Sequence, residues 1–192
     1  MQFENAKKFI VDKLKVELPE HLSYHSVGHI KDVYNSAERI AVEEGISGEE
    51  MTLLLTAVLF HDSGFLVQQK DHESISCEIA REFLPGFDYS EDEIQQICGM
   101  IMATKVPQKP HNHLEEIICD ADLDYLGRDD FFTIGNRLFS ELRVYGMIQS
   151  ELEWNQLQVR FLESHHYFTK TAMRLRNDSK NAHLQSIKSL LK

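Results

Sequence analysis

The sequence predicts an all-α, single-domain helical bundle. Three observations carry that prediction: helical periodicity in nearly every segment, only 9 Gly and 4 Pro among 192 residues, and no two runs that alternate as paired strands do. Hydrophobic residues make up 42% of the chain and charged residues 27%, a balance that buries a core without disulfides. No repeat, low-complexity stretch or linker divides residues 1–192, so the chain reads as one domain. Its chemistry-bearing residues fall within about 24–127, and further helices fill about 128–192.

The elements follow in order. Phe3, Ala6, Ile10 and Leu14 mark one face of a first helix that Pro19 closes. A second helix runs from about Ser26 to Glu44, with Ile30, Val33, Ala37 and Ile40 inward and Gly45 ending it. Ser47 and Glu50 have the spacing of a capping box before a third helix, whose Leu54, Ala57, Val58 and His61 share a stripe. Asp71 stands as the N-cap of a fourth helix bearing Ile75, Ile79 and Phe83, with Pro85-Gly86 as its stop. Ser90 and Glu93 repeat the box ahead of Ile94, Ile97, Ile101 and Met102. After a loop over Lys105–His113, helices are expected at about Leu114–Tyr125, Phe131–Tyr145, Ser150–Arg176 and Asn181–Leu191.

A formal net charge of −11 excludes duplex nucleic acid and anionic membranes as bulk partners. A small anionic substrate stays compatible, because a bound metal ion reverses the field locally. Cys77, Cys98 and Cys119 are odd in number and far apart, which suits core packing in a reducing cytosol. The amino-terminal MQFENAKKFIVDKL lacks the apolar stretch of a signal peptide, and no segment approaches the ~20 apolar residues that span a bilayer. The expectation is a cytoplasmic protein.

Ten histidines matter here by placement more than by number. His25 and His29 lie four apart at the start of a helix, a spacing that turns both imidazoles toward one side. His61 and Asp62 end the apolar run LLLTAVLFHDSG, at the rim of the core, where a carboxylate needs a partner or a cation. Asp122 lies in IICDADLDYLG, about 200° around the helix from Asp120 at ~100° per residue. Asp120 and Asp124 are expected on a solvated face. Imidazole and carboxylate together suit divalent ions such as Zn, Mn, Fe, Mg, Co and Ni.

The order of these pieces, from YHSVGHIKDV through LLLTAVLFHDSGF and DHESISCEIAREFL to ICDADLDYLG, resembles the HD-domain superfamily of metal-dependent phosphohydrolases. That resemblance implies a divalent ion held by His29, His61, Asp62 and Asp122. It also implies hydrolysis of a phosphomonoester or phosphodiester, of a nucleotide or related small metabolite. YHSVGH is similar to a stretch of the cyclic-nucleotide phosphodiesterases, which makes His25 the candidate general acid.

His72 matches a histidine that binuclear members use for a second ion. This chain has Ala103 and Thr104 where those members carry a further histidine, which implies one ion and a role for His72 at substrate phosphate or water. By this resemblance Asp62 or Asp122 accepts the proton of the attacking water, and His25 or His72 protonates the departing oxygen. The rival reading is a regulatory domain that keeps the fold and binds metal or nucleotide without turnover. Lys70, Arg81, Lys105 and Arg128 flank the motifs as candidate phosphate contacts. His165, Phe168, Ala172 and Leu175 are expected along one helical face.

Overall fold

The computed structural model describes residues 1–191, among which there are nine α-helices, three short 3-10 turns and no strand. The helices are α1 (Phe3–Glu17), α2 (Val27–Glu43), α3 (Gly48–Phe60), α4 (His72–Phe83), α5 (Glu91–Ala103), α6 (His113–Asp122), α7 (Phe131–Val144), α8 (Glu151–Ser164) and α9 (Lys170–Leu190). The protein is all-α, as the periodicity predicts. No described helix is long and apolar enough to cross a membrane.

α3 is the axis of the packing. Every residue from Leu53 to Phe60 is buried, as expected of a helix that is apolar on all sides. α1, α2, α5 and α6 pack around it. Because the run continues directly into His61 and Asp62, both side chains finish inside the molecule rather than at its surface.

Local signals held unevenly. The Ser90–Glu93 capping box forms in full. Ser47 sits at the N-cap of α3 without a side-chain bond, because Gly48 takes a left-handed conformation (φ +59°) that breaks the regular first turn. Asp71 occupies the N-cap position of α4 but is itself left-handed (φ 55°), and its carboxylate accepts from Lys105 Nζ at 2.7 Å instead of capping. The cysteines are free and buried.

The C-terminal helices break where the periodicity does not show it. The expected span Ser150–Arg176 is divided at residues 165–169, and α9 then runs unbroken past Asn177 and Asp178. His165 and Phe168 therefore do not share a helical face with Ala172 and Leu175. The cause is Asp120, which is fully buried rather than solvated. Its carboxylate accepts from the Phe168 and Thr169 amides (2.9 and 2.8 Å) and from the Thr169 hydroxyl (2.8 Å), and Thr169 in turn caps the Ala172 amide. Burial pushes the Asp120 carboxyl up to about 6 against the pull of these donors.

Asp124 is likewise buried, not solvated. α6 ends at Asp122, so Asp124 lies in a 3-10 turn beyond it. There it accepts from Arg176 Nε (2.7 Å), Arg39 Nη2 (3.0 Å) and Ser36 Oγ (3.1 Å), tying α9 to α2. Burial pushes its carboxyl up, but the two guanidinium groups outweigh that and hold it below the usual range. Asp124→Ala is expected to destabilise the fold by about 3 kcal/mol in urea unfolding, the usual cost of stranding buried charge, whereas exposed Asp178→Ala stays within about 0.5 kcal/mol. Equal effects of the two substitutions would show that Asp124 does not tie the helices together.

Candidate metal centre

Three helices deliver the four candidate ligands. His29 comes from the first turn of α2, His61 and Asp62 from the end of α3, and Asp122 from the last position of α6. α2 and α6 pack side by side, which brings residues 93 apart in sequence into contact.

His61 is fixed at its ring and at its backbone. Its Nδ1 lies 2.8 Å from the Val58 carbonyl, which can only accept, so Nδ1 carries a proton and Nε2 is the nitrogen left for a cation or a second proton. Its own carbonyl accepts from Ser76 Oγ (2.7 Å), and that hydroxyl accepts from the Gly64 amide (2.8 Å). Gly64 has no substitute here. A Cβ at that position would stand 2.0 Å from the His72 carbonyl oxygen, so glycine is what lets α4 abut the His-Asp corner.

The ligand atoms face one another. His29 Nε2 lies 3.1 Å from Asp122 Oδ1 and 3.4 Å from Asp62 Oδ2. His61 Nε2 lies 3.3 Å from Asp62 Oδ2 and 3.5 Å from Asp122 Oδ1. Yet His61 Nε2 and Asp62 Oδ2 are both buried and neither makes a hydrogen bond. Two orphaned polar atoms this close are costly as they stand, and a cation between them satisfies both. The His29–His61–Asp122 cluster can hold a metal ion, and Asp62 Oδ2 faces the same two imidazole nitrogens. The donor set of two imidazoles and two carboxylates therefore fits a divalent cation.

The electrostatics agree. Burial would push the His61 imidazole down, but Asp62 and Asp122 outweigh it and lift it to about 9. Burial would push both carboxyls up, but the surrounding histidines hold each well below the ordinary carboxylate range. The pocket of charge favours a positive guest.

His72 and His25 stand beside this cluster. His72 Nε2 is 3.4 Å from the other oxygen of Asp62, Oδ1, and 3.6 Å from Glu73 Oε1, while its Nδ1 lies 3.1 Å from the Gln69 carbonyl. His25 precedes α2, stacks on Phe65 (centroids 4.1 Å apart) and lies 6.0–6.1 Å, ring to ring, from His72 and His29. Sequence reasoning missed its partner, Glu141 of α7. That fully buried carboxylate bonds His25 Nδ1 and accepts from the Tyr24 and His25 amides at 2.8 and 3.1 Å. Burial pushes the Glu141 carboxyl up, and these donors outweigh it and hold it down. The available signal was a glutamate continuing the inward stripe of Ile134 and Leu138 at helical spacing.

The site opens into a cavity of about 520 Å³ lined by His25, Asp62, His72, Glu73 and Asp122 at one end. Of the flanking cations, Lys70 and Lys105 reach its mouth. Arg128 is engaged by Asp32 and Asp130, and Arg81 borders a separate hollow beside Tyr89.

The sequence pattern of the HD domain matches residues 27–124. This chain belongs to the HD-domain family. An uncharacterized protein of Clostridium beijerinckii is 34% identical over 111 residues, covering 56% of this chain and 69% of that one. A predicted HD superfamily hydrolase from an uncultured Thermotogales bacterium superposes with a TM-score of 0.65 at 17% identity, covering 96% of this chain and 90% of its own. Bacillus subtilis YpgQ, in complex with ADP, superposes with a TM-score of 0.63 at 19% identity, covering 96% and 95%. These two structural likenesses are likenesses of fold.

If the cluster holds a cation, excess Mn, Co or Zn raises the stability of the wild type, by about 2.7 kcal/mol at a hundredfold excess over Kd. His61→Ala is expected to abolish that ion-dependent gain in thermal unfolding. A His61→Ala protein that gains as much as the wild type places the ion elsewhere.

Proposed function

We propose that this chain is a metal-dependent hydrolase of phosphoric esters, acting on a small phosphorylated metabolite of the nucleotide kind. The observation that carries the reading is the orphaned pair His61 Nε2 and Asp62 Oδ2, buried behind a cavity that Asp62 and Asp122 help to line and that is large enough for a small ligand. ADP bound to YpgQ, a protein of the same fold, supports the nucleotide class.

His29, His61, Asp62 and Asp122 would hold the ion. When bound, a divalent ion lowers the pKa of water and draws off negative charge from phosphate. The chain's own groups supply the rest. Water oxygen forms the new bond to phosphorus as the ester P–O bond breaks. Asp62 or Asp122, both of which line the cavity, takes the water's proton. His25, held at Nδ1 by Glu141, has Nε2 free to deliver a proton to the leaving oxygen. His72, between Asp62 and the cavity mouth, orients the phosphate or water. Phe65, stacked under His25, fixes the plane of that ring.

A panel of phosphate esters with added Mn, Mg, Co, Ni and Zn tests the activity. Turnover should require an ion and vanish in Asp62→Ala, while nucleotide binding without turnover under every ion would identify a sensor instead. His25→Ala should lower turnover about 10²–10⁴-fold on alkyl esters and much less on nitrophenyl esters, whose leaving group needs no proton. Glu141→Gln should show the same leaving-group dependence at smaller amplitude. Losses of equal size on both ester types would remove His25 and Glu141 from proton delivery.

A further inference from the structure

The cavity that meets the metal ligands has a second end. Beyond Tyr125 its wall comes from α7 and α8, helices that lie outside the residues matched by the HD pattern. There the lining side chains are apolar, Trp154, Leu157 and Phe161 among them, apart from Gln158. Phe131 stacks parallel to Tyr125 and carries the aromatic surface from the ion end into this arm.

Charge divides along the same axis. The lining cations, Lys70 and Lys105, both sit on the side of α4 and α5, and Lys105 is already paired with Asp71 at 2.7 Å. The α7–α8 arm offers a bound group neither a cation nor an anion. Its one amide, Gln158, is buried and makes a single long bond, from Nε2 to Asn155 Oδ1 at 3.4 Å. It therefore keeps both donor and acceptor capacity for a ligand. An apolar, aromatic-walled slot with one hydrogen-bonding amide suits a flat, uncharged heterocycle, and suits poorly a hydroxyl-rich or charged group, which would lose its water there.

We infer that the α7–α8 arm seats the heterocyclic ring of the proposed substrate, with Gln158 at the ring's edge and the phosphate at the ion end. This inference rests on the hydrolase reading above and adds to it which part of the chain selects the substrate.

The test compares adenosine monophosphate with ribose 5-phosphate, which share one leaving oxygen and differ only in the base. In the wild type with added ion, kcat/KM should favour the nucleotide by about 10–100-fold, the range for burying one ring. Leu157→Lys, which puts a charge into the arm, should collapse that ratio at least about tenfold; Phe161→Leu, a milder change that spares the fold, should lower it in part. Equal kcat/KM for the two esters in the wild type, or a ratio that neither variant alters, would overturn the inference. If neither ester turns over with any ion, the hydrolase reading fails separately, and adenosine binding by calorimetry then decides the arm. Binding weakened by Leu157→Lys upholds it, and no binding of adenosine to the wild type refutes it.

Discussion

Two carboxylates, buried Asp62 and partly buried Asp122, are held against two imidazoles in a helical core, and the packing around them follows from that. Removing such groups from water costs several kcal/mol apiece unless each finds a partner. The fold meets that cost with positioning. α3 is apolar on every side and so drives its own C-terminal end, with His61 and Asp62, into the interior. Ser76 and the Val58 carbonyl then fix His61, and Gly64 lets α4 close over the corner. What remains is an imidazole nitrogen and a carboxylate oxygen without hydrogen-bond partners, side by side where a cation would satisfy both.

Much of this was legible in the sequence, for a physical reason. A helix that is buried all round announces itself in composition, and a charged pair at its end announces that something must compensate it. The helical angle between Asp120 and Asp122 likewise separated two aspartates that composition alone cannot tell apart. The same run misled about Asp120 and Asp124, because an acidic cluster on a helix looks solvated unless its distant partners are known. Those partners, Thr169 and Arg176, lie 49 and 52 residues away, and no local spacing points to them. The break between α8 and α9 was missed for the same reason: a buried carboxylate from α6 causes it, not a breaker in the segment itself. Glu141, 116 residues from His25, shows the limit most plainly. Only packing reveals which member of an inward stripe carries chemistry.

The chain divides its work along its length. Residues 27–124, which carry the HD pattern, hold the candidate ligands. The helices after them look like plain amphipathic packing in sequence, yet they supply the carboxylate that orients His25 and the apolar wall of the cavity. Variation in α7 and α8 can therefore change what enters the cavity without touching the ion's ligands.

X-ray absorption on cobalt-loaded protein measures whether His29, His61, Asp62 and Asp122 converge on one ion. Two imidazole nitrogens and carboxylate oxygens at about 2.0–2.2 Å are expected in the first coordination sphere, with the imidazole signal halved in a His29→Ala protein that still binds cobalt. An all-oxygen sphere, or an imidazole signal unchanged by that substitution, would contradict that convergence.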